Sequence, residues 1–154
     1  MYLYVNVPFS TNKSTHNFPK ESKIIVMRSV LNGWVTSYRY HEHIALPCVF
    51  GCKLFHPIHP DGYKDTLTHY LQCPLLWKIV ADVLQVDIPT SAAFKLCLVP
   101  GCNPYIIIIA HKIYHFIKMG NRSRVLCMRN RQHVNELREM AFVHGRALRS
   151  DMRI

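Results

Sequence analysis

Acidic residues are scarce in this chain: nine Asp and Glu stand against nineteen Lys and Arg among 154 residues. The five aspartates, Asp61, Asp65, Asp82, Asp87 and Asp151, include no adjacent pair. The aromatic-x-Asp-Asp turn that holds metal ions for phosphoryl transfer is therefore missing. A restriction-type nuclease would need Pro-Asp followed by an acid-x-Lys. Pro60-Asp61 occurs, but Glu21-x-Lys23 precedes it and nothing suitable follows. Six glycines supply no phosphate loop and no nucleophile elbow. We therefore expect a protein that is not an enzyme. Apolar runs are short as well. The longest, Tyr105 to Ala110, ends at His111 and Lys112, well under the roughly 18 to 20 residues of a membrane span. No Lys or Arg precedes Lys13, and no apolar stretch runs into small residues, so the N-terminus does not read as a secretory signal. The expected setting is intracellular, nuclear or cytoplasmic, and reducing. Six cysteines there are read as metal thiolates or core residues rather than disulfides.

What is present is basic charge, unevenly spread. From His111 onward ten Lys and Arg face only Glu136, Glu139 and Asp151. Such a field attracts polyanions, with RNA or DNA the usual partner; its plainer use is a solvated helix face. The length suits one domain.

Residues 1–21 read as an irregular tail, extended over Tyr2 to Val7. From Ser22, Ile24, Met27, Leu31, Trp34, Val35 and Tyr38 recur at steps of three and four, one face of a helix that Gly33 weakens. Pro47 opens an irregular stretch to Lys64. A helix is expected from Asp65, a good N-cap residue, and another from Pro74 to about Val86. Ser91 can cap a short helix to Leu98. Asn103-Pro104 begins a helix through Met119, with Gly120 as its stop. The last helix, 123–150, puts Leu126, Val134, Leu137, Ala141 and Leu148 on one face. Arg122, Arg129 and Arg146 fall away from that line, with Arg124 and Arg131 nearby, and these five arginines are the candidate nucleic-acid contacts. The fold class is mainly α: one helical domain over 22–154, containing a finger at 46–78.

The chemistry sits in that finger. Cys48-x3-Cys52 is followed, sixteen residues later, by His69-x3-Cys73. Structural zinc takes four Cys and His ligands in a tetrahedron. A short Cys pair on a turn gives two thiolates, and Gly51 lets that turn close. His69 and Cys73, one helical turn apart, share a face. Cys48, Cys52, His69 and Cys73 are thus expected to hold one Zn2+. His56 and His59 are competing ligands within a Pro-rich loop. Asp65, one turn before His69, is either a helix N-cap or the acceptor for the second ring N–H of His69. His41-Glu42 with Pro47-Cys48 is too closely spaced for a deaminase site. Cys97, Cys102 and Cys127 have no His at ligand spacing and are assigned to packing.

The segments Trp34-Val-Thr-Ser-Tyr-Arg-Tyr-His-Glu42, Leu46-Pro-Cys-Val-Phe-Gly-Cys52 and Asp65-Thr-Leu-Thr-His-Tyr-Leu-Gln-Cys-Pro-Leu-Leu-Trp77 resemble the C-terminal zinc-finger region of non-LTR, LINE-like retrotransposon reverse transcriptases. The likeness covers residues 30–80 and centres on Asp-x-x-x-His-Tyr-x-x-Cys. It differs in a His- and Pro-rich insertion, Lys53 to Lys64. The resemblance implies a fragment downstream of a polymerase domain, acting in nucleic-acid handling. The rival expectation is a structural interaction module, whose zinc staples helices that dock a polymerase domain or another partner.

Overall fold

A computed structural model describes residues 20–36, 46–52, 64–120 and 131–152. Residues 1–19 of the expected 1–21 tail, most of the 53–64 insertion, and 121–130 lie outside the described residues, and the first helix begins at Lys20, inside that expected tail. The described chain is mainly helical. It comprises α1 (Lys20–Val30), α2 (Leu67–Gln72), α3 (Pro74–Leu84), α4 (Ala92–Lys95), α5 (Pro104–Gly120) and α6 (Arg131–Asp151).

Helix α5 is the centre of the molecule, with α1, α3 and α6 packed around it and α3 also against α6. This explains why four consecutive isoleucines form a helix here. Ile106, Ile107, Ile108 and Ile109 are all buried, at 3% exposure or less. Neighbours on several sides reward apolar side chains all round the helix, and burial overrides the local β preference of Ile. The start is set as expected: Asn103 Oδ1 accepts from the Tyr105 amide at 3.0 Å. Helix α6 turns Val134, Leu137 and Ala141 inward, as its periodicity predicts. It approaches α3 and α5 at Gly145, where an added Cβ would meet Val83 Cγ2 at 2.8 Å and Ile113 Cδ1 at 3.2 Å. At the end of the same contact Arg149 donates to the Val83 carbonyl at 3.0 Å, so this member of the basic excess caps α3.

Helix α1 departs from its expected form in two ways. It stops at Val30, with Asn32 in a left-handed conformation and the Gly33 amide bonded back to the Arg28 carbonyl. A Cβ at Gly33 would lie 2.7 Å from that carbonyl oxygen, so the turn needs glycine. Its apolar line also faces outward: Ile24, Met27 and Leu31 are exposed, and Ser29 is buried. Spacing reveals a stripe but not its direction. Trp34, at the next step of the stripe, is buried, and it reaches the core from the turn after the helix. Its Nε1 donates to Ser29 Oγ at 2.9 Å, and its ring packs on Tyr114 at a centroid distance of 4.7 Å.

Candidate metal centre

The first ligand pair sits on a tight turn. The Gly51 amide bonds to the Cys48 carbonyl at 3.1 Å, and Gly51 has φ +74°, a conformation glycine adopts without penalty. The Phe50 amide points at Cys48 Sγ, 3.4 Å away. Where the chain returns after the insertion, Pro47 and Lys64 form an antiparallel bridge and the Asp65 amide donates to the Leu46 carbonyl at 2.8 Å. The turn is therefore anchored to the start of α2.

Helix α2 carries the second pair. Its N-cap is Thr66, whose hydroxyl accepts from the His69 amide at 3.1 Å; this corrects the expectation that Asp65 caps the helix. Cys73 closes α2 and is also the N-cap of α3, its Sγ accepting from the Leu76 amide at 3.5 Å. Proline at 74 makes this junction possible, since the first helical position has no amide to satisfy.

These elements bring Cys48, Cys52, His69 and Cys73 together. One ligand atom from each lies within 4.8 Å of the others, and all four residues are buried. The Sγ–Sγ separations are 3.9 Å for Cys48–Cys73 and 3.4 Å for Cys52–Cys73, with the cysteines unbridged. His69 Nε2 is buried without a hydrogen-bond partner. An orphaned ring nitrogen beside three thiols is costly as a purely protein arrangement and is the donor a cation would use. Three sulfurs and one imidazole nitrogen in a closed, dry site fit a tetrahedral metal ion. Burial raises the thiol pKa of Cys48 and Cys73 well above the ordinary value. Cys52 moves the other way, its thiolate favoured by hydrogen bonding with Cys48 and Cys73. Metal entry would therefore displace protons from the two raised thiols.

Comparison with protein-family models, with curated proteins and with solved structures gives no match.

Around the cluster lies a shell of buried polar groups. Asp65, fully buried, takes the Tyr70 hydroxyl at 2.6 Å and the Lys118 ammonium at 3.3 Å. Through Tyr70 this carboxylate is joined to the site. The Tyr70 hydroxyl also accepts from the Val49 amide at 3.2 Å, inside the Cys48–Cys52 turn. Lys118 bonds Tyr114 at 3.1 Å, and Tyr114 donates to the Val35 carbonyl at 2.6 Å. The Asp65–Lys118 and Tyr70–Val49 contacts carried no sequence signal, because the partners lie 53 and 21 residues apart.

Of the five candidate nucleic-acid arginines, Arg131 and Arg146 are exposed on α6. Arg146 also lies over the Phe142 ring at 5.8 Å. Arg122, Arg124 and Arg129 lie outside the described residues, as do His56, His59 and Cys127. Cys97 and Cys102 are half-buried and away from the cluster. Among the described residues no helix is long and apolar enough to cross a membrane.

Proposed function

We propose that this chain is a zinc-binding, nucleic-acid-binding segment of the kind that follows the polymerase domain in non-LTR retrotransposon reverse transcriptases. One observation carries the reading: the buried cluster of three thiols and an unpartnered imidazole, built on the Asp-x-x-x-His-Tyr-x-x-Cys core that prompted the family resemblance. Zinc suits this donor set, since it favours tetrahedral Cys and His sites and needs no redox partner. Cys48, Cys52, His69 and Cys73 would hold it, and its work would be structural, fixing the Cys48–Cys52 turn against α2 and α3. A basic outer surface supports the second half of the reading. Lys20, Lys23 and Arg28 are exposed on α1, and Arg131 and Arg146 on α6. Phosphate contacts by such residues give affinity with little sequence preference.

The test has two arms. Purified protein should carry about one zinc per chain. It should also bind labelled single-stranded and duplex nucleic acid with an affinity that falls steeply with salt, by about one log unit per log unit of salt for each phosphate contact. Replacing Arg122, Arg124, Arg129 and Arg131 with Gln should flatten that slope while leaving zinc content unchanged.

One observation favours a second reading, a docking module: Ile24, Met27 and Leu31 form an exposed apolar line on α1, at 49%, 54% and 72% exposure. An unchanged salt slope in the arginine variant would move that reading ahead.

A further inference from the structure

Lys95 is a buried charge next to the metal centre. The residue is 6% exposed. Its Nζ donates to the Leu71 carbonyl at 2.8 Å and stands 4.7 Å from the centre of the Trp77 ring. Leu71 is two residues before Cys73 and Trp77 four after it, so the ammonium rests against the joint between α2 and α3. Among the described residues no carboxylate pairs with it. A buried ammonium is costly unless something negative offsets it. The carbonyl and the ring face supply partial charges only. Burial favours the neutral amine; a thiolate at Cys73 would favour the ammonium.

The metal centre has the complementary difficulty. Three thiolates and a neutral imidazole around a dication leave one net negative charge, also buried. Two opposite charges, each expensive alone, would thereby meet at the α2–α3 joint, where the ammonium holds the Leu71 carbonyl and Cys73 caps α3.

We propose that Lys95 is the counter-cation of the metal centre, its ammonium offsetting the net negative charge of the tris-thiolate zinc complex and raising the affinity for the ion. The inference rests on the zinc reading of Cys48, Cys52, His69 and Cys73. Lys95 is a positioning residue in this role: an ammonium has no lone pair to offer the metal and acts through the Cys73 sulfur.

The experiment is a zinc titration of the full chain against a chromophoric chelator, in wild type, Lys95→Met, Lys95→Arg and Lys95→Gln. Met keeps the stem and removes the charge; Arg keeps the charge. Gln can still donate a hydrogen bond without charge, and it answers the question if the Met variant does not fold. The neutral variants should bind zinc roughly ten- to a hundredfold more weakly, the range typical of groups that act through a ligand, with Arg close to wild type. Cobalt substitution adds a readout that lost packing alone would not move. Removing the cation should shift the thiolate-to-cobalt charge-transfer band to lower energy, and Arg should restore it. Unchanged zinc affinity and an unmoved band in the neutral variants overturn the counter-cation role while leaving the zinc site intact. A wild-type chain that takes up no zinc overturns the parent reading instead, and this inference with it.

Discussion

The Tyr70 hydroxyl donates to Asp65 Oδ1 at 2.6 Å and accepts from the Val49 amide at 3.2 Å. One phenol thus joins the Cys48–Cys52 turn to a buried carboxylate held on its other oxygen by Lys118. Tyr70→Phe keeps the ring contacts with Trp34 and Tyr114 but removes a donor from Asp65 and an acceptor from Val49. We expect a loss of about 2 kcal/mol in urea unfolding, the range for buried groups left unpaired. Zinc affinity should weaken with it, since the turn carrying two ligands loses its brace.

Metal removal should act on folding itself. A site that does not exist in the unfolded chain turns binding energy into folding energy. A chelator is therefore expected to lower the thermal midpoint by many degrees, and Cys73→Ser to mimic it. Cys102→Ser, half-buried and outside the cluster, should keep both the metal and the midpoint. Equal loss in both variants would reject the assigned ligands.

Gly145→Ala should destabilise, although glycine to alanine inside a helix ordinarily gains about 0.5–1 kcal/mol. The new methyl would lie 2.8 Å from Val83 Cγ2, and overpacking of this kind costs about 1–3 kcal/mol. Equilibrium unfolding gives the sign directly. A double variant with Val83→Ala should recover part of the loss.

His111 predicts an acid-sensitive component of stability. Burial, with smaller contributions from His115, Arg28 and Lys112, pushes its pKa down to about 4. The unfolded chain, with a pKa near 6.5, then binds the proton more readily than the folded one. Stability from this residue is complete above about pH 6.5 and is lost progressively as pH falls toward 4. Acid also protonates the metal ligands, so the comparison is between wild type and His111→Gln at equal zinc. The wild type should lose stability more steeply over that window.

The four residues of the cluster were legible in the sequence because each pair is local. Three intervening residues on a turn, or one helical turn, are enough to declare them. The start of α5 was legible for the same reason, Asn103 and Pro104 being adjacent. The direction of the α1 stripe was not, because periodicity cannot say which side of a helix the core occupies. Nor was the partner of Asp65: Lys118 is 53 residues away, and only the packing of α5 brings it near. Lys95 and Leu71, 24 residues apart, pose the same problem. The N-cap of α2 was misplaced by one residue, since Asp65 and Thr66 are both good caps and the choice depended on Asp65 being drawn inward.

The Cys73 sulfur serves two masters: it faces the other ligands and it receives the Leu76 amide at the first turn of α3. That helix is eleven residues long, about 16 Å, and Val83 near its far end bears on Gly145. The thiol cluster and the α3–α6 contact are thus opposite ends of one stiff lever. Exchanging zinc for a larger thiophilic cation such as cadmium would lengthen the metal–sulfur bonds and displace the near end. The methyl resonances of Val83, remote from the metal, should register the radius of the ion.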